Sequence, residues 1–229
     1  QRLRAQGLIG PQSVVIHNGI DLTVFRRSDG RVTPEFASPL RCLVAGRVDP
    51  EKGIHTVVRA FGLLAHGNEP SHACLTVLGD GPADYAASLR HQAYALGLDS
   101  VVRFLPAVPR GEIPAILEQH DVLILASEYA EPLARAAQEA MAMGLLVIST
   151  ITGGSGELLV HEQTGLAFDA GDPASLARQI EHAARHPDET RRLALDGRDT
   201  VRERFDIRHT VLETERYLAS LIARADRRP

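Results

Sequence analysis

Short apolar runs recur along the chain and are separated by longer amphipathic stretches. Several runs are rich in valine, isoleucine and leucine without strict alternation of polar residues, which is typical of strands covered on both faces. The predicted strands are residues 13–16, 41–45, 73–78, 101–105, 121–126, 145–149 and 166–168.

The stretches between these runs have helical spacing, and helices are predicted at residues 53–64, 84–96, 112–119, 132–143 and 173–186. A repeated strand-then-helix order implies parallel strands joined by right-handed crossovers. We therefore predict an α/β fold with a Rossmann-like, doubly wound parallel sheet. In such sheets ligands bind at the carboxyl ends of the strands.

No strand is predicted after Asp172, where helices at about 173–186, 188–204 and 207–224 follow. Asp206 is a candidate cap for the last of them. We predict a single domain over residues 1–229. It comprises a first strand and loop at about 13–39, a Rossmann-like core at about 40–172 and C-terminal helices at about 173–229.

The loop after the second predicted strand begins at Gly46 and holds two cations, Arg47 and Lys52. Cations at this spacing can converge on one anion, and a guanidinium fork with a lysine point charge suits a diphosphate. Alternatively, both are solvated loop charges that pair with Asp49 and Glu51. The spacing alone favours neither interpretation.

The fifth predicted strand leads into a helix with two glutamates, Glu131 and Glu139. Pro132 suits the first helical position, which would place Glu131 at the cap. Glu139 would then lie about 12 Å further along the axis. Glu131 could hold sugar hydroxyls, Glu139 a ribose diol and the helix amides a phosphate. Alternatively, Glu131 only caps the helix and Glu139 lies on a solvated face, although its alanine and methionine neighbours are expected to face the sheet.

Two glycine-rich segments follow other predicted strands, at residues 79–82 and 152–157. Glycine clusters let a ligand approach backbone amides, but they also make turns, and 79–82 is interpreted chiefly as a turn. The histidines have no partners at metal-ligand spacing and no serine or cysteine partner. We therefore predict neither a metal site nor a nucleophilic triad.

The composition narrows the class of partner and compartment. A net charge of -4 provides no bulk basic field for nucleic acid or an anionic membrane. Cys42 and Cys74 lie in apolar runs, which predicts free thiols and a reducing compartment. No run reaches the roughly 18 apolar residues of a membrane-spanning helix. Because the chain starts at Gln1 without a signal-like pattern, we expect it to be a piece of a longer protein.

Taken in order, these segments resemble the C-terminal, donor-binding domain of GT-B glycosyltransferases. The resemblance is to the large retaining family with two glutamates separated by seven residues ("glycosyl transferases group 1"), which includes many enzymes of bacterial glycan biosynthesis. The matching segments are residues 15–21, 46–53, 78–82, 102–105, 131–144, 153–157 and 164–166. They span nearly the whole chain, and the ordered set is more specific than any single segment.

The resemblance implies a substrate and roles for the matching residues. The donor would be a nucleoside diphosphate sugar, with a UDP-sugar favoured and a GDP-sugar left open, and no cofactor or bound metal would be needed. Arg47 and Lys52 would neutralise the diphosphate and form the catalytic set together with Glu131. Glu131 would bind the donor sugar and Glu139 the ribose. The other implied substrate-binding positions are Gly46, Arg103, Phe104, Leu105, Pro132, Leu133 and Ala134, of which 103–105 would lie beside the base.

Several positions depart from the family pattern. After the first glutamate the family usually has Pro-Phe-Gly, where this chain has Pro132, Leu133 and Ala134, so the orientation of the sugar is open. Arg135 occupies a usually apolar position, where it would contact phosphate, the acceptor or solvent. Further departures are Pro106, Leu146 and Gly156. None replaces the two cations or the two glutamates, so donor binding is expected to survive.

The resemblance also places acceptor recognition on an N-terminal domain, the expected partner, which lies outside this chain. We expect the chain alone to bind donor without completing transfer, and its final helix, at about 208–224, to expose apolar surface towards that domain. The whole protein is expected in the cytoplasm, with peripheral contact at the inner face of the membrane left open.

Other classes of protein remain as alternatives. A non-catalytic module that senses a nucleotide sugar is favoured only by the departure at Leu133 and Ala134. A sugar-nucleotide epimerase of related architecture also stays open. A generic dinucleotide-binding domain is disfavoured, because no Gly-x-Gly-x-x-Gly opens a helix after the first strand.

Overall fold

Six parallel strands form one sheet in the computed structural model, which describes residues 13–36, 38–66 and 72–225 together with Gly7 and Gly10. The strands are β1 Leu40–Ala45, β2 Ala73–Leu78, β3 Val102–Leu105, β4 Val122–Leu125, β5 Leu146–Thr150 and β6 Leu166–Phe168. Their order across the sheet is β3-β2-β1-β4-β5-β6. The predicted α/β class and doubly wound parallel sheet are confirmed.

The direction in which strands are added reverses between β1 and β4. β2 and β3 extend the sheet towards one edge, whereas β5 and β6 extend it towards the other. The register of β1 with β2 runs over the whole of both strands, but its register with β4 comprises only Cys42↔Val122 and Leu43↔Leu123. The loops that follow β1 and β4 therefore meet at a topological switch point, where sheets of this type bind ligands.

Helices cover both faces of the sheet. They are α1 Ile54–Ala65, α2 Ala83–Ala95, α3 Ile113–Glu118, α4 Arg135–Ala142, α5 Pro173–Arg185, α6 Pro187–Arg204 and α7 Ile207–Ala225. Short 3-10 helices lie at Pro50–Lys52, Arg110–Glu112 and Gly153–Glu157. All the predicted helices are present, and their ends agree within one residue except at the start of α4.

A hydrophobic core lies on each face of the sheet. One core contains Phe61 of α1 together with Cys42 and Val44 of β1. The other contains Met141 of α4 together with Leu43 of β1. Successive side chains of a strand point to opposite faces, so a strand between two helical layers needs apolar residues at consecutive positions. This requirement explains the continuous apolar runs of the sequence.

The strand predicted at residues 13–16 is wrong. This segment forms no strand, and its Val14 and Val15 side chains are exposed because it runs outside the sheet. Instead, Ile20 makes an isolated bridge with Asp206. The Ile20 N–H donates to the Phe205 carbonyl at 2.8 Å. A short apolar run does not specify whether its partner is a strand or, as here, the junction between two helices.

The cap predicted for the last helix is confirmed. A carboxylate oxygen of Asp206 accepts the backbone N–H of Arg208 at 2.9 Å, in the first turn of α7. The Arg208 guanidinium also contacts this carboxylate, and hydrogen bonds from Arg208 hold the pKa of Asp206 below its usual value.

The start of α4 differs from the prediction. This helix begins at Arg135 with Ala134 as its N-cap residue, so Pro132 is not the first helical residue and Glu131 is not the cap. The Glu131 carbonyl accepts the Gly154 N–H at 2.6 Å. The Glu131 carboxylate bonds to side chains of two other residues, so neither group is available to a helix N-terminus.

The structure agrees with the predictions of free cysteines and of an apolar surface on the final helix. Cys42 is buried, Cys74 is partly buried and both are free; burial raises the pKa of both thiols. The final helix exposes apolar side chains, as expected, including those of Leu212, Leu218 and Ile222. Within the described part of the chain, no helix combines the length and apolar character needed to cross a membrane.

Candidate functional site

The loop after β1 is shaped by its contact with the end of β4. Gly53 joins the 3-10 turn Pro50–Lys52 to α1 with a φ of 61°, and a Cβ there would lie 2.1 Å from the Ala126 carbonyl oxygen. Only glycine permits both this backbone conformation and this close approach. The Glu128 N–H also donates to the Glu51 carbonyl at 2.8 Å. These contacts fix Lys52 opposite the loop that follows β4.

Lys52 and Glu131 form the centre of the site. The Lys52 Nζ lies 2.9 Å and 2.8 Å from the two carboxylate oxygens of Glu131, and 3.0 Å from the Tyr129 hydroxyl. The Ser127 hydroxyl donates to Glu131 at 2.6 Å. Four polar side chains from adjacent loops therefore form one hydrogen-bonded group, which restricts the rotamers of both charged residues.

Both members of this pair are charged at neutral pH. Burial alone lowers the pKa of Lys52, but hydrogen bonds to Glu131 and Tyr129 outweigh it, and the net pKa is raised. Burial alone raises the pKa of Glu131, but hydrogen bonds from Lys52 and Ser127 outweigh it, and the net pKa is lowered. Burial is the largest single influence on each pKa, but the hydrogen bonds and the attraction between the two charges together outweigh it and favour the charged forms.

Arg47 stands at the mouth of the same site. Its side chain is 73% exposed, and its guanidinium lies 3.3 Å from an Asp49 oxygen without hydrogen-bond geometry. The alternative pairing considered from the sequence is thus present for Arg47. It is absent for Lys52, which pairs with Glu131 rather than Glu51.

A cavity of about 220 Å³ brings together five of the eleven predicted site residues, and Glu139 is not part of its wall. Gly46, Arg47 and Lys52 line it from the β1 side. Glu131, Ala134 and Arg135 line it from the β4 side. The cavity therefore lies at the switch point of the sheet, with three cations and one carboxylate in its wall.

Glu139 is buried among charged partners rather than solvated. Its side chain is 7% exposed, and the Arg110 Nη2 lies 2.7 Å from one of its carboxylate oxygens. The Arg135 Nε lies 3.5 Å from the same oxygen. The sequence alternative of a solvated face is therefore wrong for Glu139.

The glycine-rich segment after β5 packs against the loop that carries Glu131. A Cβ on Gly154 would lie 1.6 Å from the Pro132 carbonyl oxygen, and one on Gly153 would lie 2.2 Å from the Glu131 carbonyl oxygen. These glycines thus allow two backbones to touch. Pro132 and Leu133 form part of this packed loop, outside the cavity wall.

The three residues predicted beside a base lie on β3. Arg103 and Leu105 line a separate cavity of about 580 Å³ next to His120. Phe104 packs against the first core, with the Arg90 guanidinium 4.9 Å from the centre of its ring. The structure therefore does not bring these residues into the 220 Å³ cavity.

Sequence reasoning missed Ser127, Tyr129 and Arg110. Ser127 and Tyr129 lie between a strand and Glu131, so their position after β4 was an available signal. Arg110 is 29 residues from Glu139, and no local pattern connects the two. Among the described residues, no group of three histidine, cysteine, aspartate or glutamate side chains is placed to hold a metal ion.

The fold and this site define the chain as a Rossmann-like domain of the type found as the C-terminal half of GT-B glycosyltransferases. A model of the family described as "Glycosyl transferases group 1" matches residues 26–200. The chain belongs to this family. The resemblance inferred from the ordered motifs is thereby confirmed.

Relatives of the chain include a glycogen synthase of Mycobacterium tuberculosis, which is 30% identical over 227 residues, covering 97% of this chain and 52% of the relative. A putative glycosyltransferase of Bacillus subtilis, YtcC, is 32% identical over 174 residues, covering 73% of this chain and 42% of the relative. The chain thus spans about half the length of the curated relatives it matches.

Solved structures agree with this placement. The Anabaena protein Alr3699/HepE, in complex with UDP-glucose, superposes with a TM-score of 0.81 at 26% identity, covering 90% of this chain and 57% of that one. A sucrose-phosphate synthase of Thermosynechococcus elongatus has a TM-score of 0.82 at 26% identity, covering 96% and 55%.

Proposed function

We propose that the chain is the donor-binding domain of a retaining hexosyltransferase that takes a sugar from a nucleoside diphosphate sugar. The observation that carries the proposal is the cavity at the switch point. There Lys52 and Glu131 hold each other in one geometry, and Arg47 lines the same wall. Family membership and the UDP-glucose complex of a structural neighbour support it.

In this proposal the cations of the cavity act on the leaving group. A departing nucleoside diphosphate gains negative charge in the transition state, and preorganised cations stabilise that charge without reorganisation. Lys52 is preorganised by Glu131 and Tyr129, whereas Arg47 is exposed and can close over the diphosphate. In this proposal, these two side chains neutralise charge on the diphosphate in place of a bound metal.

The two glutamates would bind different parts of the nucleotide sugar. Glu131 lines the cavity and has carboxylate oxygens that accept hydrogen bonds, so it would hold hydroxyls of the donor sugar. Glu139 lies deeper, is fixed by Arg110 and would bind the ribose. Arg103, Phe104 and Leu105 remain the proposed neighbours of the base. Acceptor recognition would belong to a partner domain outside this chain, which alone would bind donor only.

Titration calorimetry of this chain with UDP, GDP, ADP and their sugar derivatives tests the proposal, without metal and then with Mg²⁺. We expect metal-independent binding of one series, UDP first. Lys52→Ala and Arg47→Ala should each weaken binding by roughly tenfold or more, because a hydrogen bond to a charged group contributes about 1.5–3 kcal/mol. Arg59→Ala, an exposed arginine of α1, is the matched control and should leave the affinity unchanged.

The glutamates give a second, sharper readout. Glu139→Ala should weaken UDP and UDP-sugar alike, whereas Glu131→Ala should weaken the sugar-bearing ligand more than UDP, which it affects only through the position of Lys52. Equal effects of both variants on both ligands would contradict the assignment. For the full-length protein, the anomeric configuration of the product reports whether transfer proceeds with retention.

A further inference from the structure

Arg135 is the first residue of α4, and its side chain lines the same cavity as Arg47 and Lys52. The side chain is 62% exposed, and its Nε lies 3.5 Å from a Glu139 carboxylate oxygen. It therefore stands between the buried carboxylate and the open cavity, within reach of either.

The charges in the cavity wall leave Arg135 available to bind an anion. Its wall holds Arg47, Lys52, Arg135 and one carboxylate, that of Glu131. Lys52 is already engaged by both oxygens of Glu131. The other two cations of the wall, Arg47 and Arg135, have side chains that are 73% and 62% exposed and make only longer contacts of 3.3 Å and 3.5 Å with carboxylates. Two guanidinium groups match the two phosphates of a diphosphate in charge and in hydrogen-bonding geometry.

Glu139 does not depend on Arg135 for its charge partner. The Arg110 Nη2 lies 2.7 Å from the Glu139 carboxylate, within hydrogen-bond distance, whereas the Arg135 contact is 3.5 Å. A buried carboxylate that loses its only partner is strongly destabilising. Because Arg110 stays paired with Glu139, Arg135 can move away without leaving a buried carboxylate unpaired.

The place of Arg135 on its helix is unfavourable without an anion. A cation in the first turn opposes the helix dipole, and α4 has neither an acidic residue in its first turn nor a side-chain cap. A phosphate in front of this helix would compensate the charge of Arg135 and could accept hydrogen bonds from backbone amides of the first helical turn.

We propose that Arg135 is a third diphosphate-binding cation of the site. It turns from Glu139 to the phosphates when the donor binds, while Arg110 keeps Glu139 in place for the ribose. This inference rests on the proposed function, because it assumes that the cavity takes a nucleoside diphosphate.

The test compares ligands that differ only in their phosphates, using this chain and titration calorimetry with uridine, UMP and UDP. Arg135→Ala should weaken UDP binding by roughly tenfold or more and leave uridine binding unchanged. Arg135→Lys should restore part of the loss, since it keeps the charge but not the fork. The melting temperature of Arg135→Ala should equal or exceed that of the parent, which excludes misfolding as the cause.

Arg110→Ala provides the contrast. It removes the residue that holds Glu139, so it should weaken uridine, UMP and UDP to the same extent. If Arg135→Ala behaves in that way too, Arg135 positions Glu139 and the inference is wrong. If Lys52→Ala weakens UDP but Arg135→Ala does not, the inference fails while the proposed function stands. If the parent chain binds no nucleotide of any series, both are overturned.

Discussion

Replacing Gly154 by alanine would force apart the two loops that build the site. The added Cβ would lie 1.6 Å from the Pro132 carbonyl oxygen. A carbon–oxygen contact needs about 3.3 Å, so the loop has to retreat by about 1.7 Å (3.3 − 1.6). That displacement breaks the 2.6 Å hydrogen bond from the Gly154 N–H to the Glu131 carbonyl.

The expected loss follows from these two effects. Overpacking of this kind costs about 1–3 kcal/mol and the lost hydrogen bond about 1 kcal/mol, so Gly154→Ala should lower the free energy of unfolding by about 2–4 kcal/mol. Gly156→Ala is the matched control. Its Cβ would meet only the Cγ2 methyl of the exposed Ile151 side chain at 3.1 Å, and a small rotation of that side chain relieves the contact.

Urea unfolding of the two variants and the parent chain measures the difference. An unchanged m-value ensures that the midpoints report stability. Gly156→Ala should stay within about 1 kcal/mol of the parent. If Gly154→Ala is as stable as Gly156→Ala, the close backbone approach described between Gly154 and Pro132 is incorrect. Calorimetry should also show that Gly154→Ala weakens binding of the sugar-bearing donor, because the displaced loop carries Glu131.

Two further predictions concern charged groups. Because the pKa of Glu131 is lowered on folding, its stabilising contribution is fully present above about pH 4.5 and is lost as the pH falls through the lowered value. Glu131→Gln should therefore flatten this acid-dependent loss in urea titrations from about pH 6 to about pH 3; an unchanged slope would contradict the pKa shift. Asp206→Ala should cost about 1–2 kcal/mol through the lost cap of α7, lowering the melting temperature by roughly 2–8 °C. Asp196→Ala, which loses only an exposed ion pair with Arg192, should change it much less.

The sheet could be predicted from sequence because burial on both faces requires uninterrupted apolar runs. The run 73–78 coincides with β2, and 166–168 coincides with β6. The segment 13–16 has a similar apolar pattern, but its Val14 and Val15 side chains are exposed, and the chain joins the fold only further along, where Ile20 forms its bridge at the α6–α7 junction. Local composition carried no information about which distant surface it would meet.

The candidate site was only partly predictable. Arg47, Lys52 and Glu131 could be identified as candidate site residues because each follows the end of a strand, and parallel strands bring their carboxyl ends to one edge of the sheet. The late start of α4 depends on the approach of Gly154, 23 residues further along the chain than Glu131. Proline at a helix start is a local preference, and this non-local packing overrides it.

The narrow register between β1 and β4 has a consequence for how the chain holds together. The cavity draws one wall from each side of that join, and Lys52 and Glu131 are 79 residues apart in sequence. During synthesis, the first half of the sheet emerges without a binding site, which comes into being only when the second half docks. In the proposed function a donor would contact both loops, and at a concentration of about 100 times Kd it would add about 2.7 kcal/mol to the free energy of unfolding. Donor binding would thereby stabilise the join between the two halves of the sheet.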